Sequence, residues 1–451
     1  MCSLGEIMGS DGELLVVCGD RSMGLGLKIL DMNTGEELLH LPNCASPSSG
    51  VVCLRDQFIA ASQINRHGSV GGGAIGIWTL NKPQQALWSY PLEEIGPLAC
   101  TKDGTYLAGG ALSGNAYLWD VTGGKLLKTW RACSKTLNCL LFSDDDSLLI
   151  SSSDDGMICV WSLISLLDLE GTGSLPSLLH SLSGHESTIT GLLTTSGNYF
   201  SVLVSSSLDG TCKVWDFITG RLVQTHVHHL AITSIFLYQG EGLLFSGSAN
   251  GHIIGRKLDV DLEEELFSIA SDQLLELKGH SGAITALTSG QAGLISASED
   301  NTICIWDVIS WTVIRRINVE KGKITNMVVV QRSSMLSASN RRKASNQYTV
   351  SALDKYPQLI SLSKGKGTTT LHSLGSPQHM FDGQKVNMPL DMVMQMKVET
   401  SIENRVWATK MAKHVMEINK YLQSCLLDLM QQRLLEKDTK RMTKKKTKVQ
   451  S

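Results

Sequence analysis

The chain has 451 residues, of which 42% are apolar and 18% are charged, and its formal net charge is −3. This composition is typical of a folded globular protein and provides no whole-protein field that would attract nucleic acid or a membrane. Glycine is frequent (42 residues) and proline is scarce (9), which favours tight turns between strands. The N-terminus has no basic region leading into an apolar stretch, and no run approaches 18 apolar residues. We therefore expect neither a signal peptide nor a membrane-spanning helix.

The 11 cysteines are scattered and include no Cys-x-x-Cys motif. Cys159, Cys212 and Cys304 lie within apolar segments. This distribution indicates buried, reduced thiols in an intracellular protein.

A short pattern recurs through the first three quarters of the chain: alternating apolar residues, then Trp-Asp or a variant of it. Seven copies end near residues 31, 79, 120, 162, 216, 258 and 307. The Trp-Asp positions of the pattern include Trp119 with Asp120, and Trp161 in a variant copy. A second alternating segment and a Gly, Asp or Asn turn precede the stronger copies, which predicts a β-hairpin in each. The spacing between successive copies is close to the period of about 40–45 residues that is typical of a repeat with four strands.

Two copies also carry the same four polar and aromatic residues, with serine, aspartate and tryptophan at identical offsets. These candidate structural tetrads are His185, Ser205, Asp209 and Trp215 in one copy, and His280, Ser296, Asp300 and Trp306 in the other. A buried imidazole, hydroxyl, carboxylate and indole N–H can satisfy one another in a chain of hydrogen bonds. Serine, histidine and aspartate together also suggest a hydrolase. Their repetition favours a structural role, because a nucleophile needs only one exposed site.

The Trp-Asp endings, the Gly184-His185 and Gly279-His280 starts and the hairpins resemble the WD-repeat family over about residues 10–330. The resemblance implies an all-β fold, a seven-bladed WD-repeat β-propeller in domain 1–330.

The chain begins with strand 13–18 and its hairpin partner, so blade one lacks an innermost strand. We expect 324–330 to supply it, which would close the ring and remove its exposed edges. An eighth partial repeat at 335–339 and 348–354 stays open.

Several segments are similar to one branch of this family, the WD-repeat subunits of Rix-type complexes: 58–63, 81–95, 104–130, 146–168 and 205–223. The insertion LISLLDLEG after Trp161 is similar too. The resemblance implies a non-enzymatic scaffold in the nucleolus and nucleoplasm, bound to other proteins of a pre-ribosomal assembly. That assembly matures the large ribosomal subunit and processes the second internal transcribed spacer of precursor rRNA. In plants the family is linked to meristem development.

Other functions stay open from the residues alone, because fold does not determine function. The alternative is a substrate-recruiting adaptor of a ubiquitin ligase or a chromatin-associated transcriptional regulator. We find no clear recruiting motif for a ligase.

The repeat decays after 330, and 331–388 is polar and aperiodic, which predicts a linker. Pro389 then opens a predicted amphipathic helix over 389–439. Its apolar seam follows the alternating four-three spacing of a coiled coil, at Met411, Val415, Ile418, Leu422, Cys425 and Leu429. Such a stripe needs a partner: the chain's own propeller, another subunit or a second copy. We favour a homodimer through this α-helical, coiled-coil-like extension.

The final segment, 440–451, is a basic tail. Its six cationic residues are Lys440, Arg441, Lys444, Lys445, Lys446 and Lys448. Such a tail can be simply solvated, can act as a nuclear localisation signal, or can make weak, salt-dependent contact with rRNA.

Three further patterns resemble ligand sites but lack the necessary context. The glycines of 71–76 precede no predicted helix, which a dinucleotide site requires. The acidic run 144–146 reads as a turn between strands. The histidines His226, His228 and His229 have no further zinc ligands at fixed spacing. We therefore expect no cofactor, no metal and no small-molecule substrate.

Overall fold

The structure, a computed structural model, describes part of the chain. The described residues are 12–20, 25–42, 44–64, 73–80, 86–167, 176–195, 202–216, 219–238, 242–258, 275–307, 309–319, 322–332 and 348–357. Within them the alternating apolar runs form 28 strands, and one short helix, α1 (Leu163–Leu167), follows the fourteenth strand.

The strands have three to eight residues each, the usual length for strands separated by tight turns. In chain order they are β1 (Glu13–Gly19), β2 (Leu27–Asp31), β3 (Glu37–Leu41), β4 (Val51–Leu54), β5 (Phe58–Ile64), β6 (Gly73–Thr79), β7 (Leu87–Ser89), β8 (Ile95–Cys100), β9 (Tyr106–Ala111), β10 (Asn115–Asp120), β11 (Leu126–Arg131), β12 (Leu137–Phe142), β13 (Leu148–Ser153), β14 (Met157–Ser162), β15 (Leu178–Ser183), β16 (Ile189–Thr194), β17 (Val202–Ser207), β18 (Thr211–Asp216), β19 (Leu222–Val227), β20 (Ile232–Tyr238), β21 (Leu243–Ser248), β22 (His252–Lys257), β23 (Leu275–Lys278), β24 (Ile284–Gly290), β25 (Gly293–Ser298), β26 (Thr302–Trp306), β27 (Val313–Asn318) and β28 (Ile324–Gln331).

These strands form seven antiparallel sheets of four strands, one for each repeat that the sequence shows. Blades two to seven each take four consecutive strands, from β4–β7 to β24–β27. The innermost strands of neighbouring blades contact one another around the whole circle. The seven-bladed propeller is therefore confirmed.

Blade one combines strands from both ends of the propeller. Its order is β28-β1-β2-β3, and β28 pairs antiparallel with β1, with Leu15 opposite Val329 and Val16 opposite Val328. The predicted closure by 324–330 is thus confirmed. Joining the last strand to the first pairs the inner edge of β1, which would otherwise be open to pairing with other chains.

The hydrophobic core lies between the blades. Leu15 and Val17 of blade one, for example, pack in one cluster with Ile295, Ala297 and Ile303 of blade seven, and all five are fully buried. A single sheet could not cover both of its faces, so each blade depends on its neighbours for burial.

Side-chain hydroxyls also join neighbouring blades near the axis. Thr190 Oγ1 donates to the carbonyl of Ile232 at 2.9 Å, and Thr325 Oγ1 donates to the carbonyl of Ser46 at 2.7 Å. These bonds satisfy backbone carbonyls that the sheets leave free, and they fix the spacing of adjacent blades.

Residues 348–357, which we call the strap, lie on blades two and three in an extended conformation and add no strand to any sheet. The compact unit therefore runs to Gln358, beyond the boundary at 330 that the repeat pattern predicts. The strap belongs to the propeller although the sequence places it in the linker. The other possible strand of an eighth repeat, 335–339, the predicted helix 389–439 and the basic tail 440–451 lie outside the described residues.

Candidate functional site

The first predicted tetrad forms a continuous hydrogen-bonded chain in blade five. Trp215 Nε1 donates to Ser205 Oγ at 2.9 Å, and Ser205 Oγ lies 2.7 Å from His185 Nε2. His185 Nδ1 lies 3.0 Å from Asp209 Oδ2. Since a carboxylate only accepts, His185 Nδ1 carries the proton and its Nε2 accepts from Ser205.

The second tetrad repeats this geometry in blade seven. Trp306 Nε1 donates to Ser296 Oγ at 2.8 Å, Ser296 Oγ lies 2.8 Å from His280 Nε2, and His280 Nδ1 lies 3.1 Å from Asp300 Oδ2. The network joins the loop before the innermost strand, the second strand, the hairpin turn and the third strand of one blade. Its four members come from four separate elements, so the network locks the blade as a unit.

The protonation states follow from burial and hydrogen bonding. Burial lowers the pKa of His185 and of His280, because a charged imidazole would lose its hydration. Burial alone would raise the pKa of Asp300, but hydrogen bonds from Thr302 and Ser281 hold that pKa at about 2. A neutral histidine between a serine and an ionised aspartate is the resting state of each tetrad.

The tetrads are poorly suited to catalysis. Ser205 and Ser296 have no exposed surface, and each hydroxyl is occupied by its own indole N–H and imidazole. A nucleophile must reach a substrate, and these two groups are covered by neighbouring strands. The geometry favours a structural role for both.

Blade four keeps only half of this network. Trp161 Nε1 donates to Ser151 Oγ at 3.0 Å, but Cys133 stands where blades five and seven have histidine. Asp155 instead accepts from Ser134 Oγ at 2.9 Å and from the backbone N–H of Met157 at 3.1 Å. The indole and serine remain paired without the imidazole.

In blade six the tryptophan is replaced by Arg256. Its Nη1 donates to His226 Nδ1 at 3.4 Å, and His228 Nε2 lies 3.5 Å from Ser246 Oγ. Burial, followed by the Arg256 charge, lowers the pKa of His228 to about 4. This blade has a cation where blades two to five and blade seven have an indole, so two of the three clustered histidines lie beside a positive charge.

Blade three obtains its indole partner from the strap. Trp119 is fully buried, and its Nε1 donates to the backbone carbonyl of Asp354 at 3.0 Å. Gly109 stands ten residues before Trp119, where other blades have the serine. The Trp119 ring passes so close that a Cβ at 109 would lie 2.9 Å from it. The strap therefore satisfies a donor that its own blade cannot.

The aspartate after the tryptophan closes the turn to the outer strand. Asp120 accepts from the backbone N–H of Thr122 at 3.0 Å and of Gly123 at 3.2 Å. Asp307 accepts in the same way from the N–H of Ser310 at 2.9 Å. The Trp-Asp signature thus combines a core residue with a turn residue.

The patterns that resembled ligand sites take part in the fold. Gly73 and Gly76 lie in strand β6, so no helix N-terminus follows the glycine run. Asp144 forms an ion pair with Lys102 at 2.9 Å, and Asp146 accepts from the N–H of Lys102 at 3.1 Å. These acids connect the turns of blades three and four. Among the described residues no three His, Cys, Asp or Glu side chains are grouped to hold a metal ion.

The nine described cysteines are free thiols, and burial raises the pKa of Cys212 to about 12. This thiol is protonated and inert as a nucleophile. In the part of the chain that the structure describes, no helix has the length and apolar character needed to cross a membrane.

Apolar side chains are exposed on the outer strands of two neighbouring blades, which the sequence analysis did not identify. They are Leu178 and Leu179 on β15, and Leu222, Val223 and Val227 on β19, with exposed fractions from 42% to 65%. Solvent-facing positions of an edge strand usually carry polar residues. The signal was available in the sequence, because both strands have two adjacent aliphatic residues instead of strict alternation.

The helix seam and basic tail lie outside the described residues, and their roles remain predictions.

Comparison with known proteins agrees with this fold. The family model "WD domain, G-beta repeat" matches residues 124–162, 176–216 and 271–307. The designed protein Ika8, solved by crystallography, has a similar fold with a TM-score of 0.50 and 25% identity, covering 69% of this chain and 85% of that one.

Natural relatives match over most of their length. The chain is 35% identical over 338 residues to Protein ROOT INITIATION DEFECTIVE 3 of Arabidopsis thaliana, covering 73% of this chain and 75% of the relative. It is 28% identical over 340 residues to human WD repeat-containing protein 18, covering 72% and 75%. It is 26% identical over 320 residues to Pre-rRNA-processing protein IPI3 of Yarrowia lipolytica, covering 68% and 73%. The chain belongs to the WD-repeat family that contains these three proteins.

Proposed function

We propose that this chain is a non-enzymatic scaffold subunit of a nuclear complex that matures the large ribosomal subunit and processes the second internal transcribed spacer of precursor rRNA. The observation that carries the proposal is its similarity to relatives that include pre-rRNA-processing proteins, one of which matches over 68% of this chain and 73% of its own length. Its partners are the other proteins of that complex.

The geometry supports a scaffold rather than an enzyme. The Ser-His-Asp sets that could suggest catalysis are buried and repeated in two blades. The exposed aliphatic residues on β15 and β19 suit protein contacts, because apolar side chains gain most from being covered by a partner. Binding through the rim of a rigid ring needs no catalytic group.

Depletion of the chain in its cells tests this function. The proposal predicts that precursors containing the second internal transcribed spacer accumulate on RNA blots, while precursors carrying only the first spacer change little. Re-expression of the full chain restores processing. Unchanged levels of second-spacer precursors after complete depletion would contradict the proposal. An accumulation of proteins that are no longer ubiquitylated, or altered transcription, would instead favour the ligase or chromatin alternative.

We further propose that residues 389–439 join two copies of the chain through their apolar seam, and that the basic tail directs nuclear import or touches rRNA weakly. A chain lacking 389–451 should stay a folded monomer in light scattering, whereas the full chain is a dimer. A matched full-length variant, Ile418→Asp with Leu422→Asp, should also be monomeric. A dimer that survives both changes would place the interface elsewhere.

A further inference from the structure

The strap lies on the surface of blades two and three in the manner of a bound peptide. Its backbone N–H groups at Ser351 and Asp354 donate to the carbonyls of Val121 and Gly124 at 3.1 and 2.6 Å. In return the Asp354 carbonyl accepts from Trp119 Nε1. Main-chain bonds of this kind hold an extended segment whatever its sequence.

Side chains at two positions give the surface its specificity. Leu353 is 6% exposed and packs in the apolar cluster between blades two and three, and its backbone N–H donates to the buried Ser89 Oγ at 2.8 Å. At the other end the Tyr348 ring packs edge-on against Phe58, with 5.8 Å between ring centroids. The Arg55 guanidinium lies 4.5 Å from the centre of the Tyr348 ring.

Two glycines of blade three leave room for the strap. A Cβ at Gly124 would lie 2.1 Å from the Ala352 carbonyl oxygen, and a Cβ at Gly104 would lie 2.9 Å from Tyr348 Oη. The Tyr348 hydroxyl donates to the Gly104 carbonyl at 2.5 Å. The surface is thus shaped for a main chain in close contact and an aromatic hydroxyl at one end.

We infer that the surface between blades two and three is a peptide-binding groove, that residues 348–357 fill it in cis, and that an extended peptide with the same tyrosine and leucine spacing can bind it in trans. This inference does not rest on the proposed function. The strap pairs with turns and side chains instead of a sheet edge, so its removal leaves all seven four-stranded sheets intact.

The test uses full-length chains and a fluorescently labelled peptide of residues 346–358, with binding measured by anisotropy. The wild-type chain, whose groove is filled, should bind little peptide. The chain with Tyr348→Ala and Leu353→Asp should bind it saturably, and a peptide carrying Leu353→Asp should not bind.

Two further substitutions, each added to that double variant, serve as a matched pair: one blocks the groove and the other does not. Gly124→Ala should abolish peptide binding, because the new methyl group meets the peptide backbone. Gly35→Ala sits at the corresponding turn of blade one, with a similar positive φ of 77° but no neighbour closer than 3.7 Å, and should leave binding unchanged. Absence of peptide binding to a folded double variant, or equal binding to all chains, would overturn the inference.

A second measurement applies if the double variant does not fold. A site for a sequence-specific protease is placed within 335–346 of the otherwise natural chain, and the chain is cut after purification. The C-terminal fragment should stay with the propeller in size-exclusion chromatography and leave when excess 346–358 peptide is added. A fragment that leaves without peptide, or that stays in its presence, would contradict the groove.

Discussion

In blades three, four, five and seven the tryptophan of the repeat contributes through both its packing and its single N–H. Trp306 is 2% exposed and its Nε1 donates to Ser296 Oγ at 2.8 Å. Removing the ring therefore leaves a cavity and takes a hydrogen-bond donor away from the buried Ser296 hydroxyl. We expect Trp306→Ala to lower the free energy of unfolding by about 3–5 kcal/mol. Chemical denaturation measures it, with Ile309→Ala, at a 91% exposed residue, as the control. A loss below about 1 kcal/mol would contradict the placement of Trp306 in the core.

The buried histidines make stability depend on pH. Burial lowers the pKa of His185 and His280, and burial with the Arg256 charge lowers that of His228 from 6.5 to about 4. Between these values the unfolded chain binds more protons than the folded chain, so stability is lost as the pH falls. We expect the melting temperature to drop by several degrees from about pH 7.5 to about pH 5.

The control for that experiment is His228→Gln, which removes the largest of these shifts and should flatten the pH dependence. A melting temperature that is constant or rises toward pH 5 would show that these imidazoles are not neutral in the folded chain.

The stability of the ring depends on the strand that closes it, β28. Val330 on β28 is 1% exposed and lies opposite Leu14 of β1, whereas the next residue, Gln331, is exposed. A carboxylate at 330 would be buried among apolar side chains without a partner. We expect Val330→Asp to destabilise the chain by at least about 3 kcal/mol and to increase hydrogen exchange at the β1 amides.

Gln331→Asp is the matched control for Val330→Asp, because it adds the same charge one position along the strand on the exposed face. Equal effects of the two substitutions would mean that β28 does not close blade one as described.

Much of this architecture could be predicted from the sequence because a propeller repeats one local pattern. Blades two to seven are each built from consecutive strands, so the Trp-Asp period gives the blade count, and the missing first strand of blade one indicates the closure. The tetrads of blades five and seven were predictable because their residues recur at fixed offsets.

The strap could not be predicted in this way, since its partners are turn carbonyls and a serine hydroxyl far away in the sequence. Its alternating residues read as a strand or as linker. One signal pointed to it: Gly109 replaces the serine that Trp119 would need, so the indole N–H of Trp119 required a partner from outside its blade.

At the scale of the whole molecule, the described residues form a closed ring, and the sequence predicts a helix and a basic tail after it. This suits a scaffold that holds several proteins at once: the propeller offers contact surfaces, and we propose that the C-terminal segment joins copies of the chain. We propose that the chain serves precursor rRNA maturation as such a scaffold.

The most direct test is affinity purification of the tagged full-length chain from nuclear extract, beside the chain lacking 389–451, with recovered proteins and RNA analysed together. We expect the full chain to recover large-subunit assembly factors and precursors containing the second internal transcribed spacer, and the shortened chain to recover less of both. Recovery of ligase subunits or chromatin factors, with no precursor rRNA, would contradict it.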